Sequence, residues 1–441
     1  MKRPNILFIF SDQHRPHAMS CYGDPNIETV NLDRLAAEGI RFTNAYSNTP
    51  LCSPFRACLY TGQYFTTHGV NCLFKPLLPV QPVLAEVLHA AGYYTSHMGK
   101  WHLTGGDCPS HFVSPYFRPG WDEWLGWDNS NEPFDTKYSV GAMPKPYLTL
   151  PGYQTDAVTD LTVAWLRNYD GDRPFFHVMS VEPPHSPNEA PDKYMAMYRD
   201  RELVYHPNFD HECENAEAYR TRLRGYYAQI KNLDDNVGCV LSALEETGRL
   251  DDTVVFYFSD HGDLMGSHGL GQKSHAEEES SRIPLIIRWP ARIPSGAVTD
   301  GFISAVDLMP SLLGLLDIPI PETVEGADLS GLWTGRTDRG TETVLIQFDR
   351  NYFDYTVDHR RRFRAIRYRH WKYSVHFTCG PDMLYNLAED PYEMNNLVGK
   401  EACRGVQEEL HGRLVARLEE IGDPFMQEGE SHIRHGIDRT S

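Results

Sequence analysis

Two runs in this chain, Asn5 to Phe10 (NILFIF) and Thr253 to Phe258 (TVVFYF), are apolar at nearly every position rather than at every second one. Successive side chains of a strand point to opposite faces, so such a run must be covered on both sides. That requirement excludes a one-sided antiparallel sheet and predicts a sheet sandwiched between helices. Further strand-like runs at Ile40–Ala45, Tyr93–His97, Phe175–Val181 and Ile283–Arg288 alternate with helical patterns. Those patterns cover Asn31–Glu38 (Asn31 as N-cap, Gly39 as stop), Val83–Ala91, Ala157–Arg167 and Leu223–Glu246. The alternation predicts an α/β fold, a large mostly parallel sheet flanked by helices on both faces. Beyond Gly335 the texture changes. Phe363–Phe377 mixes aromatic and basic residues as antiparallel strands do, Leu384–Leu397 is turn-rich, and Gly405–Ile421 is helical. The expected division is a catalytic domain over 1–335 and a smaller α+β C-terminal domain with an antiparallel sheet over 336–441.

With 441 residues the chain is long enough for a large core, and its formal charge of −19 disfavours nucleic acid as a partner. The nine cysteines are an odd number with no C-x-x-C pair, which fits a reducing compartment. The apolar run after MKRPN is too short for a signal peptide, and no stretch reaches the length of a membrane span. The expectation is a soluble cytoplasmic protein without membrane attachment. Nothing in the pattern speaks to oligomeric state.

The residues that follow each predicted strand carry the chemistry. Asp12 and Gln13 follow the first strand, and Lys100 and His102 follow Tyr93–His97. His185 follows Phe175–Val181, while Asp260, His261 and then Lys273 follow Thr253–Phe258. In a parallel sheet these loops emerge at the carboxyl edge, where ligands bind in such folds. Each residue alone has a plainer reading: Asp12 as a turn residue, His185 as a rigid loop residue between prolines, the lysines as solvated charges. Their recurrence at equivalent strand ends favours a metal site beside an anion site.

The stretch PLCSPFRACLYTG (Pro50–Gly62) adds Cys52 and Arg56. Pro54 suits a first helical turn and Gly62 a helix stop, which places Cys52 just ahead of a helix N-terminus, where free N–H groups and the helix dipole favour an anion. The alternative is a buried structural cysteine.

Six ordered blocks spanning residue 4 to about 397 resemble the type I sulfatases of the alkaline phosphatase superfamily: PNILFIFSDQ, LCSPFRACLYTGQ with its C-x-P-x-R signature, GYYTSHMGKWHL, EPPHSP, FSDHGDLMGSHGLGQKS and LYNLAEDPYEMNNL. The resemblance implies that a maturating, formylglycine-generating enzyme oxidises Cys52 to formylglycine, whose hydrate is the nucleophile. It implies that Asp12, Gln13, Asp260 and His261, with the converted Cys52, hold one divalent cation. It assigns Arg56 and Lys100 to the formylglycine and its charge, His102 to deprotonation of the diol, and His185 and Lys273 to the sulfate and the leaving oxygen.

Two positions depart from the common pattern, Gln13 where many relatives carry Asp and His261 where many carry Asn. The softer donor set keeps calcium first and brings in manganese or zinc. It also resembles the phosphonate monoester hydrolase and choline sulfatase branches. The expected activity is hydrolysis of a sulfate ester, preferably on a small sulfated saccharide. The alternatives are a formylglycine-dependent phosphonate monoester or phosphodiester hydrolase, or a non-catalytic anion- or carbohydrate-binding relative. Trp121–Asn129 (WDEWLGWDN) reads either as aromatic faces for a sugar or as core. The basic run His359–His370 reads either as a cleft contact for a uronate or second sulfate, or as a solvated strand face.

Overall fold

The computed structural model describes residues 3–349, 362–377 and 379–425. Ten strands form the main sheet: β1 (Asn5–Asp12), β2 (Ile40–Phe42), β3 (Tyr94–Lys100), β4 (Glu123–Trp127), β5 (Lys137–Val140), β6 (Leu148–Thr149), β7 (Phe175–Pro184), β8 (Thr253–Ser259), β9 (Leu285–Arg288) and β10 (Ala297–Thr299). Their spatial order is β10-β2-β9-β8-β1-β7-β3-β4-β5-β6. The central strands β8, β1, β7, β3 and β4 run parallel.

The uninterrupted apolar run of β1 divides between two core layers. Phe8 and Phe10 pack with Phe55 and Leu59 of helix α2 (Cys52–Thr61), and with Leu308 and Leu312 of a helix over Ala305–Leu315. Leu7 and Ile9 face the other way, against Leu32 and Leu35 of α1 (Val30–Glu38), Val158 and Leu166 of α3 (Gln154–Asn168), and Val237 and Leu241 of α4 (Ala216–Glu246). The two-sided cover that the apolar run demands is therefore observed.

Several details differ from the sequence reading. Ile283–Arg288 contributes β9, which runs antiparallel to both β8 and β2; a buried apolar run reports burial, not direction. Ile40–Ala45 divides, because Ala45 and Tyr46 leave the main sheet to pair with Ile303 and Ser304. Helix α1 starts two residues earlier than an Asn31 cap requires, with Thr29 at the cap position, and the Asn31 backbone N–H instead donates to Asp234 Oδ1 at 3.0 Å. The tryptophan cluster is core: β4 sends Trp124 into one layer and Trp127 into the other, both nearly inaccessible.

A second sheet of four antiparallel strands follows: β11 (Thr343–Phe348), β12 (Phe363–Tyr368), β13 (Trp371–His376) and β14 (Gly380–Asn386). Among the described residues the last helix, Arg404–Glu420, lays Leu410, Leu414 and Leu418 over it. Within the basic run, Arg364 is buried against Asp423 (2.5 Å) and Asp349 (2.9 Å), and Arg367 donates to Tyr46 Oη (2.8 Å). These arginines tie the sheet to its surroundings. His359–Arg361 lie outside the described residues.

One lysine pins this sheet to the main body. The fully buried Lys372 Nζ lies 2.7 Å from each of Glu278 Oε1, Glu393 Oε1 and the Ala276 carbonyl. Lys372→Met leaves Glu278 buried without its nearest cation, and unfolding in urea should show a loss of about 3–5 kcal/mol. Gly99 on β3 has φ +118°, and a Cβ there would collide with the Ser180 carbonyl of β7. Gly99→Ala should therefore spread two parallel strands, cost about 1–3 kcal/mol by thermal melting, and displace the adjacent Lys100.

Candidate active site

The carboxyl ends of β1, β8, β7 and β3 and the N-terminus of α2 converge on one buried cluster. Cys52 is the first residue of α2, one position inside the helix, and Gly62 ends that helix with φ +67°. Cys52 Sγ lies 3.5 Å from Asp12 Oδ1 and 3.2 Å from His261 Nε2. Potential ligand atoms of Asp12, Cys52, Asp260 and His261 all lie within 4.8 Å of one another, and all four residues are buried. Asp260 Oδ1 accepts from the backbone N–H groups of Gln13 (2.9 Å) and His261 (3.0 Å), whereas its buried Oδ2 has no hydrogen-bond donor.

Two cations bracket Asp12. Lys100 Nζ stands 2.9 Å from Asp12 Oδ2, and Arg56 Nη2 stands 3.3 Å from it and 3.6 Å from Asp260 Oδ2. Arg56 Nη1 is fixed by the Lys100 carbonyl (2.9 Å) and Ser180 Oγ (3.1 Å). Burial opposes ionisation of Asp12, but Lys100, then His185, His261 and Arg56, overcome it and hold its carboxyl well below the usual range. For Asp260, burial and the Asp12 charge push the carboxyl up to about 7. The Cys52 thiol is pushed up to about 12 by burial, with the Asp12 charge adding to it. A thiol so held is a poor nucleophile as cysteine.

His261 Nδ1 lies 3.0 Å from the Gly262 carbonyl, which only accepts, so the proton sits on Nδ1 and the Nε2 lone pair faces the cluster. Two carboxylates, one imidazole lone pair and an unpaired carboxylate oxygen form a donor set that fits a divalent cation. Gln13 reaches the cluster by its backbone. Its side-chain Nε2 donates to Asp263 Oδ2 and to Gln272 Oε1 (3.3 Å), which turns Oε1 toward Lys273 Nζ at 2.6 Å. Lys273 Nζ also donates to His185 Nε2 at 2.6 Å, and His185 Nδ1 is held by the Ser186 carbonyl at 2.6 Å.

His102 is buried two residues beyond Lys100, with no hydrogen-bond partner at Nδ1. Burial, then the neighbouring Lys100 and Arg56 charges, push its ring well below the usual histidine range. Gln13 (φ +67°), His102 (φ +61°) and Ser274 (φ +75°) all adopt the left-handed region. Such backbone costs about 1–3 kcal/mol per residue and concentrates at functional sites.

Two residues of this neighbourhood were not singled out from sequence. Glu182, 4% exposed, accepts from Trp127 Nε1 (3.1 Å), Ser130 N (2.8 Å) and Asn131 N (3.1 Å), and lies 3.7 Å from Lys100 Nζ. Asp263 orients the Gln13 amide. Both stand inside quoted blocks, EPPHSP and FSDHGDLMGSHGLGQKS; for Glu182 an acid near the end of a fully buried strand was the signal available, whereas Asp263 lies four residues past β8.

Residues 4–318 match the family described as Sulfatase, and residues 266–420 match N-sulphoglucosamine sulphohydrolase, C-terminal. The chain is 35% identical over 430 residues to an ulvan-active sulfatase of Formosa agariphila, covering 96% of this chain and 82% of that one. It is 27% identical to an N-acetylglucosamine-6-O-sulfatase of Bacteroides thetaiotaomicron, covering 99% and 90%. A structure solved in complex with its substrate D-glucosamine-2-N,6-O-disulfate superposes with a TM-score of 0.86 at 25% identity, covering 97% of this chain and all of that one. A resemblance resting on six sequence blocks is thus matched along nearly the whole chain, and the fold and the cluster agree with it. This chain belongs to the sulfatase family.

Proposed function

We propose that this sulfatase cleaves sulfate esters of small saccharides with a formylglycine made from Cys52 by a maturating enzyme. The observation that carries the reading is the buried convergence of Cys52 on Asp12, Asp260 and His261, with the Lys273–His185 pair joined to it through Gln13. The saccharide class is supported by the relatives' names. Catalysis belongs to residues 1–335 and cover to 336–441. An odd count of nine cysteines with no C-x-x-C pair supports a reducing compartment. Among the described residues no helix is long and apolar enough to cross a membrane.

Asp12, Asp260 and His261 would hold one divalent cation, calcium first, with the converted residue 52 completing the set; Gln13, expected among the ligands, has its amide oxygen on Lys273 and supports the set through its backbone N–H on Asp260. When bound, that ion polarises the sulfate and acidifies a bound hydroxyl. The roles of the chain's own residues follow from position. As a hydrated aldehyde, residue 52 offers two hydroxyls at the positive end of α2. One hydroxyl, its proton passed to solvent, attacks sulfur; the sulfur–oxygen bond to the sugar breaks, and the sugar oxygen takes a proton from the Lys273–His185 pair, which solvent reprotonates. His102 then accepts the proton of the second hydroxyl. The carbon–oxygen bond to sulfate breaks, sulfate leaves, and water rehydrates the aldehyde. Arg56 and Lys100 hold charge at the centre throughout.

Intact mass of active protein should be about 18 Da below that of the all-thiol chain, and a peptide spanning residue 52 should carry the change. Full activity with an unmodified Cys52 thiol overturns the mechanism. Lys273→Ala should lower kcat/KM on a sugar 6-sulfate by about 10²–10⁴-fold, and far less on an aryl sulfate whose leaving group needs no proton. Equal losses on both would remove Lys273 from the acid role. Chelation should abolish turnover, and re-addition of one divalent ion should restore it. Faster turnover of phenylphosphonate esters than of every sulfate ester would favour the phosphonate hydrolase reading.

A further inference from the structure

Between the main body and the four-stranded sheet lies a cavity of about 550 Å³, separate from the Cys52 cluster. Its charged lining is unusual for a chain of net charge −19: Arg282 from the main body, Arg367 and Arg369 from the C-terminal sheet, and two histidines, against only Glu278 and Asp300. Glu278 is already engaged. Tyr46 Oη donates to both of its oxygens (3.0 and 3.2 Å), and Lys372 reaches it at 2.7 Å from outside the cavity lining. Lys372 is shared with the neighbouring Glu393, also at 2.7 Å, whose carboxyl burial pushes up.

The donors at this cavity outnumber its acceptors. Arg282 Nη2 donates to His17 Nε2, so His17 must carry its proton on Nδ1. That Nδ1 is buried and has no hydrogen-bond partner. Arg282 Nε is likewise buried and unpartnered, standing 3.5 Å from Glu278 Oε2 without hydrogen-bond geometry. Arg369 is exposed, and among the described residues its guanidinium has no carboxylate partner, only the ring of Tyr368 beneath it. The cavity wall carries three guanidiniums against two carboxylates, one of which Tyr46 and Lys372 already engage, so the ligand it suits is made of acceptors, with negative charge that a guanidinium fork can grip.

We propose that the cavity between Arg282, Arg367 and Arg369 is a second anion site, taking a sulfate group outside the catalytic cluster. The group can arrive as free inorganic sulfate or on a sulfated saccharide, and both offer the same acceptor oxygens.

Equilibrium dialysis of the full chain against radiolabelled inorganic sulfate tests the proposal. Wild type should bind two equivalents, of which Lys273→Ala removes one. Arg282→Gln should remove the other, with thermal melting as the check on folding. If that variant does not fold, Arg369→Ala, an exposed rim change, should weaken the same equivalent while the Lys273-dependent one persists. Repeating the titration with glucosamine 6-sulfate separates the sources. Tighter binding of the second equivalent than inorganic sulfate assigns the site to the saccharide, and equal or weaker binding assigns it to the free ion. A single equivalent in wild type that Lys273→Ala abolishes, or a second equivalent untouched by both arginine changes, overturns the proposal.

Discussion

The rest of this structure is arranged around the burial of one carboxylate. Asp12 is fully inaccessible, and a charge in that position is tolerated only with opposite charge and hydrogen bonds around it. Lys100 and Arg56 supply the charge from a different strand and from a helix, while Cys52 and His261 close the remaining side. Only Cys52 and Arg56, four residues apart on α2, are neighbours in sequence; the sheet brings the rest together. The parallel order β8-β1-β7-β3 is what delivers them together, because parallel strands present all their carboxyl ends at one edge.

Around that centre the protein spends rigidity on aim. The Gln13 amide has its two polar ends assigned by Asp263 and Lys273, and the His185 ring is set by the Ser186 carbonyl. Glu182 gathers the loop after β4 by two backbone N–H groups and an indole, close to Lys100. Left-handed backbone at Gln13 and His102 belongs to the same economy: local strain is held by a surrounding structure that over-determines it.

The C-terminal sheet is joined to the main body by buried charge as well as by apolar packing. Lys372, Arg367 and Glu278 cross the junction, and Arg364 closes the sheet's own edge onto Asp349 and Asp423. Ion pairs of this kind contribute modestly to net stability but penalise misplacement heavily. They therefore set how the two parts meet, and with that the shape of the cationic cavity between them.

Sequence by itself determined the covered sheet, because runs such as NILFIF and TVVFYF have no exposed face to offer. It determined the carboxyl-edge chemistry too, since Asp12, Lys100, His185 and Asp260 each close a buried strand or follow one directly. The tertiary structure alone decided the direction of β9, as antiparallel and parallel neighbours bury an apolar strand equally well. It also decided that the tryptophans of β4 are core, that Arg364 is structural and Arg367 tied to Tyr46 at the junction, and that Gln13 turns its oxygen toward Lys273. Those outcomes depend on contacts distant in sequence, such as Arg364 with Asp423 and Arg367 with Tyr46, or on an amide's rotation, and hydrophobic periodicity and local turn chemistry carry no information about either.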